Sequence, residues 1–142
     1  MNTELMFSSK TPEWATPQDL FDKLNAEFQF TLDVCATAEN AKCAKFYTRE
    51  DDGLAQSWGD ERVWCNPPYG REIAAWVERC STAGPILNAT LAVALVPART
   101  DTRWWHDWVI PYAADVRFIK GRLKFGGHKN SAPFPSAIVV FR

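Results

Sequence analysis

The sequence predicts a three-layer α/β fold built on a mostly parallel sheet. Short apolar runs of strand length alternate with segments whose apolar residues recur every three or four positions. Several of the runs end in polar residues, as strand tips facing a ligand crevice do. One run, Leu91 to Val96, is apolar throughout, the pattern of a strand covered on both faces. At 142 residues, 46% of them hydrophobic, the chain is long enough for one domain with a sizeable core. A single domain over 1–142, with no room for a second one, is the expectation.

Taken in order, Thr16 is a natural N-cap and Pro17 a natural first helical residue. Leu20, Phe21, Leu24 and Phe28 then recur at helical spacing, which predicts a helix from about 17 to 27. Phe28 to Val34 alternates apolar and polar residues around Asp33, a strand whose tip is either a ligand contact or a cap for the next segment of chain. Residues 36–44 read as a loop with a helical turn, Lys45 to Tyr47 as a short strand, and Glu50-Asp51-Asp52-Gly53 as an acidic turn. Val63 to Cys65 is a buried strand. Ile73, Trp76, Val77 and Cys80 mark a helix from about 71 to 82, closed by Gly84-Pro85. Beyond Leu91 to Val96 come a helix from about 102 to 110, a strand at Val116 to Ile119, a basic glycine-bearing excursion to about Pro135, and a last strand at Ala137 to Phe141.

Charge divides along the chain. Residues 1–60 carry 11 acidic and 5 basic side chains, whereas 97–142 carry 3 acidic and 8 basic. A basic final third fits a polyanionic partner or a solvated face. Cys35, Cys43, Cys65 and Cys80 form no C-x-x-C pair, so buried thiols are expected and no metal site. Met1 to Pro12 lacks the basic and apolar regions of a signal peptide, and no apolar run reaches membrane-spanning length. A cytoplasmic protein with no membrane partner is expected, and a monomer is assumed.

The chemistry concentrates at Val63-Trp64-Cys65-Asn66-Pro67-Pro68-Tyr69-Gly70. Two prolines lock the backbone, so the Asn66 side chain and the Pro67 carbonyl are acceptors that no local helix claims. An exocyclic aromatic amine is a poor nucleophile because its lone pair is delocalised into the ring. Two acceptors that bind both of its N–H bonds hold the nitrogen closer to tetrahedral geometry, and a neutral carboxamide does so without capturing a proton first. Tyr69 offers a flat face on which an extruded base can stack.

Asn66-Pro67-Pro68-Tyr69 resembles the catalytic motif of S-adenosylmethionine-dependent amino methyltransferases, the NPPY motif. From about Trp14 to Phe141 the chain is similar to the small Dam-like DNA N6-adenine methyltransferases of phages and prophages. The shared segments include Trp14-x-Thr16-Pro17, Leu32-Asp33-Val34-Cys35-Ala36, Asn40-Ala41-Lys42-Cys43, Asp52-Gly53-Leu54, Pro97-Ala98-Arg99-Thr100 and Gly121-Arg122-Leu123-x-Phe125. The resemblance implies a Rossmann-like α/β/α methyltransferase fold with an antiparallel C-terminal strand. It implies methyl transfer to N6 of an adenine flipped out of double-stranded DNA, in a bacterial host cell, with protection from restriction as an attractive purpose.

By the same resemblance, Asn66, Pro67, Pro68 and Tyr69 form the catalytic corner. Trp14, Thr16, Pro17, Asp33, Cys35, Ala36, Asp52, Leu54 and Asn66 surround S-adenosylmethionine, with Asp33 at its amino acid part, Asp52 at its adenine amine and Glu39 the candidate for its ribose. Where most such enzymes have a glycine-rich loop, this chain has Cys35-Ala36-Thr37-Ala38-Glu39-Asn40. DNA contacts are expected from excursions at 99–106 and 120–135: Arg99, Arg103, Trp104, Lys120, Arg122, Lys124, Phe125 and Lys129, interleaved with Trp105, His106 and His128. At least one tryptophan of 104–108 should pack inward. The same corner could serve cytosine N4, RNA adenine or a protein glutamine, and a silent DNA-binding decoy could keep the fold without turnover.

Overall fold

The computed structural model describes residues 14–87 and 89–142; the Met1 to Pro12 stretch and Glu13 lie outside them. The sheet comprises β1 (Leu32–Asp33), β2 (Lys45–Phe46), β3 (Arg62–Cys65), β4 (Leu91–Pro97), β5 (Asp115–Phe118) and β6 (Ser136–Phe141). Their order is β2-β1-β3-β4-β6-β5. The pairs β1–β2, β1–β3 and β3–β4 are parallel, and β6 runs antiparallel between β4 and β5. The expected parallel sheet with an antiparallel last strand is what forms.

Period-two alternation splits the strand side chains between two cores. Val63 and Cys65 of β3, with Ala92, Ala94 and Val96 of β4 and Val139 of β6, face one side; Trp64, Leu91, Val93, Leu95 and Val140 face the other. On the first face, alanines leave room for the bulk of Trp76, Trp104 and Trp105, which come from α2 (Ile73–Leu87) and α3, the helical segment 103–112. On the second, Phe21, Leu24 and Phe28 of α1 (Gln18–Phe28) cover half of the sheet, and Phe125 and Phe134 of the basic excursion cover the rest.

Four local expectations are corrected. The helix α1 has Pro17, not Thr16, at its N-cap, with no side-chain cap bond; the Thr16 hydroxyl is engaged elsewhere. The strand expected over 28–34 shrinks to Leu32–Asp33. Asn25 ends α1 by accepting the Phe30 N–H at 2.8 Å, and Gln29 adopts the left-handed region at φ 54°. The alternation was a pattern of burial, with Phe28 and Phe30 in one core and Leu32 and Val34 in the other.

Helix α2 is not closed by Gly84-Pro85 but runs through it to Leu87. A proline in the last turn forfeits one N–H bond, and Val77, Cys80 and Ala83 already anchor the helix to the core. Helix α3 extends to Tyr112 and contains a π turn, Trp105–Val109. Pro111 cannot donate to the Asp107 carbonyl, and an i→i+5 turn just before it, with the Ile110 N–H bonded to the Trp105 carbonyl, relieves that mismatch.

Candidate active site

A cavity of about 520 Å³ opens at the carboxyl ends of β1 and β3, where the chain leaves β1 for β2 on one side and returns to β3 on the other. That is the switch point at which open α/β sheets take ligands. Trp14, Thr16, Asp33, Cys35, Ala36, Asp52, Leu54 and Asn66 all line it, together with Glu39, Pro67 and Pro68. Pro17 does not; its carbonyl accepts the Phe21 N–H at 3.1 Å in the first turn of α1.

Asp33 is a buried carboxylate that organises the loop after β1. One of its oxygens accepts the Cys35 N–H at 3.3 Å and the other the Lys42 N–H at 3.0 Å, which closes residues 35–42 into a ring. Inside that ring Thr37 N–H donates to Asn40 Oδ1 at 2.7 Å and Asn40 N–H to Thr37 Oγ1 at 3.2 Å, a reciprocal cap on one helical turn. Side-chain hydrogen bonds thus shape a loop, 35–42, that contains no glycine. Burial pushes the Asp33 carboxyl up to about 6, against the two N–H bonds that favour its anion.

The acidic turn is a packed element rather than a loose one. Gly53 approaches β1 so closely that an added Cβ would lie 2.2 Å from the Val34 carbonyl oxygen. Trp58 Nε1 donates to the Gly53 carbonyl at 2.9 Å, and Arg79 of α2 donates to the carbonyls of Leu54 at 2.6 Å and Gln56 at 2.8 Å while stacking over the Trp58 ring at 4.1 Å. Asp51 turns away to accept from the Thr48 N–H and hydroxyl, which leaves Asp52 and Leu54 as cavity lining. Glu72, Trp76 and Arg79 were not singled out for a site in the sequence. Only their third dimension shows that Glu72, just ahead of α2, and Trp76 of α2 flank the cavity while Arg79 clamps the turn.

At the corner, Asn66 Nδ2 donates to the Trp14 carbonyl at 2.6 Å and to Thr16 Oγ1 at 3.1 Å. Its Oδ1 is buried and has no partner among the described residues. An orphaned buried acceptor costs roughly 1–3 kcal/mol, so its retention points to a group kept for a ligand's donor. Tyr69 stands on the other side of the corner. Its hydroxyl donates to the Leu95 carbonyl at 3.1 Å, burial holds the phenol well above its usual range, and its ring borders a second cavity of about 390 Å³ shared with Gly70, Pro97, Arg99, Thr102 and Trp104. The tetrapeptide therefore divides two cavities, with Asn66, Pro67 and Pro68 on the first and Tyr69 on the second.

Of the residues expected to meet DNA, Arg99, Arg103, Lys120, Arg122, Lys124 and Lys129 are exposed. Arg117, a further basic residue of the region, is bound bidentately by Glu27 at 2.7 Å and also by Asp115. Trp104 and Phe125 are buried and pack as core. Phe125 meets Trp14 edge-on at 5.2 Å and so seats the excursion on the site instead of presenting a ring to solvent. Trp105 is buried as well, so two tryptophans of 104–108 turn inward.

The family model described as DNA N-6-adenine-methyltransferase (Dam) matches residues 5–141. The chain is similar to the "DNA N-6-adenine-methyltransferase" of Escherichia phage T1, 40% identical over 115 residues, which are 78% of this chain and 45% of the phage protein. It is also similar to the "Putative methyltransferase YfdM" of Escherichia coli K12, 39% identical over 64 residues, 40% of this chain and 70% of that protein. The match to the phage protein thus covers less than half of that protein's length.

Proposed function

The chain belongs to the DNA N-6-adenine-methyltransferase (Dam) family, and from that premise we propose that it transfers a methyl group from S-adenosylmethionine to the N6 amine of an adenine flipped out of double-stranded DNA. The observation that carries the reading is the Asn66 carboxamide, whose N–H side is fully engaged and whose buried oxygen has no partner among the described residues, in the wall of a cavity of cofactor size.

The first cavity fits that methyl donor by its chemistry. Among the described residues, Asp33, Glu39, Glu50, Asp52 and Glu72 line it against Lys42 and Arg49, an acidic excess that suits a ligand bearing a sulfonium and an ammonium. Asp33 faces the ammonium, Asp52 accepts from the adenine amine, Glu39 serves the ribose, and Leu54, Ala36 and Trp76 supply apolar walls. S-adenosylmethionine, when bound, supplies an electrophilic methyl group on a positively charged sulfur. The chain's own residues do the rest: Asn66 Oδ1 and the Pro67 carbonyl accept the two N–H bonds of the target amine, pyramidalise it and raise its nucleophilicity. Tyr69 stacks on the base from the second cavity, and Arg99 at that cavity's rim meets the nucleotide's phosphate. Arg103, Lys120, Arg122, Lys124 and Lys129 contact the flanking backbone. The chain thus carries cofactor and DNA surfaces in one domain, acting in the bacterial cytoplasm where its substrate lies; no helix among the described residues is long and apolar enough to cross a membrane.

The direct test incubates the protein with methyl-labelled S-adenosylmethionine and unmethylated duplex DNA, followed by hydrolysis to nucleosides. Label is expected in N6-methyldeoxyadenosine. Label in cytosine moves the reaction to N4, and unlabelled DNA refutes the proposal.

Asp33 gives the cofactor site a pH dependence. Its carboxyl, at about 6 in the free protein, binds an ammonium only as the anion. Affinity for S-adenosylhomocysteine is therefore expected to hold above pH 7 and to fall toward ~tenfold per pH unit as pH drops below about 6. The sign for stability is opposite. Because the folded value lies above the ordinary 3.8, ionised Asp33 opposes folding at neutral pH, and that penalty is relieved as pH falls through about 6. Titration calorimetry between pH 5 and 8 reads the first effect; a flat affinity would remove Asp33 from the ammonium.

A further inference from the structure

We propose that the Trp14–Thr16 segment is a positioning strap for Asn66, which fixes the carboxamide so that its oxygen and not its nitrogen is offered to the target amine. The inference rests on the reading of Asn66 as an acceptor for that amine. A carboxamide is nearly isosteric about a half-turn of its last torsion, and the wrong orientation sets an NH2 donor against an amine that also donates. Something must therefore bias the group.

The bias is visible in the bonds. The Trp14 carbonyl can only accept, so its 2.6 Å contact identifies the end of the side chain that faces it as Nδ2. The Thr16 hydroxyl takes the second amide proton at 3.1 Å. With both protons spent, Oδ1 is the end left for a ligand, and it is the atom without a partner among the described residues. Thr16 is buried, and although it stands just ahead of α1 its hydroxyl makes no helix cap. A cap would be worth about 1 kcal/mol, and the threonine turns from that role toward Asn66.

The strap is itself held from the DNA-facing side. The Ala15 carbonyl accepts the Gly126 N–H at 2.9 Å, and the Trp14 ring lies parallel to His128 at 4.5 Å and edge-on to Phe134 at 5.2 Å. The excursion that carries Arg122, Lys124 and Lys129 thus fixes the segment that orients Asn66.

The test separates this role from that of a cofactor contact, since Thr16 also lines the first cavity. Thr16→Val keeps the branched shape and removes the hydroxyl. It is expected to lower kcat about tenfold, with affinity for S-adenosylhomocysteine changed less than about twofold, and Thr16→Ser is expected to restore kcat. An equal loss of rate and of affinity, an unchanged kcat, or no rescue by serine would each overturn the strap. Exchange of the Asn66 side-chain amide protons, assigned in NMR spectra by their absence in Asn66→Ala, gives a readout independent of turnover. Slow exchange in the wild type that accelerates in Thr16→Val supports the strap even if the DNA carries no label, in which case the proposed reaction fails alone. Fast exchange in the wild type overturns the strap.

Discussion

Asn66→Ala is expected to lower the rate of methyl transfer by at least ~10²–10³-fold, the order found when one preorganised hydrogen-bond partner is taken from a reacting centre, while S-adenosylhomocysteine still binds within a few-fold of its wild-type affinity. The two halves of the expectation come from different parts of the side chain. Oδ1 has no partner among the described residues, so its removal breaks none of their bonds and acts when an amine is present. Nδ2 is bonded to Trp14 and Thr16, so alanine also leaves the Trp14 carbonyl and one hydroxyl unpaired and loosens the strap. That second effect lies on the wall of the cofactor cavity, which is why a few-fold loss of affinity is allowed. Single-turnover kinetics with saturating cofactor, alongside titration calorimetry, resolve the two. If affinity fell as steeply as the rate, Asn66 would be a cofactor residue and the assignment of its oxygen to the target amine would be lost.

How far the sequence showed this site depends on what each residue does. Asn66-Pro67-Pro68-Tyr69 was legible because prolines announce backbone geometry locally, and Asp33 because a strand tip is a property of one short run. Gly53, Trp58 and Arg79 were opaque as a unit. Their meeting depends on how α2 lies across the turn, a contact over 25 positions of sequence that no period records. Phe125 was legible as an aromatic in a basic excursion but not as core, because a three-layer fold normally finishes its outer layer with helices, and here an irregular segment takes that place with Phe125 and Phe134. The missing glycine loop has a similar explanation. Asp33, Thr37 and Asn40 build the turn by side-chain bonds, and such bonds leave no composition signal.

Gly53→Ala is expected to have the larger effect on stability, for a reason that is steric and not conformational. Gly53 does not occupy positive φ, so its backbone would accept alanine; Gly70 is the reverse, at φ 116° with nothing within 4 Å of an added Cβ. At Gly53 the new atom would lie 2.2 Å from the Val34 carbonyl oxygen and 3.0 Å from Trp76 Cη2. Neither neighbour can give way, because the Val34 N–H is bonded to Trp64 in the sheet at 3.1 Å and Trp76 is packed in the core. The turn must move instead, which breaks the bonds from Trp58 and Arg79 to the carbonyls of Gly53, Leu54 and Gln56. Overpacking and lost bonds together should cost roughly 3 kcal/mol or more, a fall in Tm of about 10 °C for a domain of this size. Displacing Asp52 and Leu54 should also weaken S-adenosylhomocysteine at least ~tenfold, so that the ligand's own stabilisation of the fold shrinks. Thermal unfolding with and without S-adenosylhomocysteine measures both effects at once. A variant that melts with the wild type and is stabilised equally by the ligand would show that the turn is not wedged against β1 and that Asp52 does not depend on it.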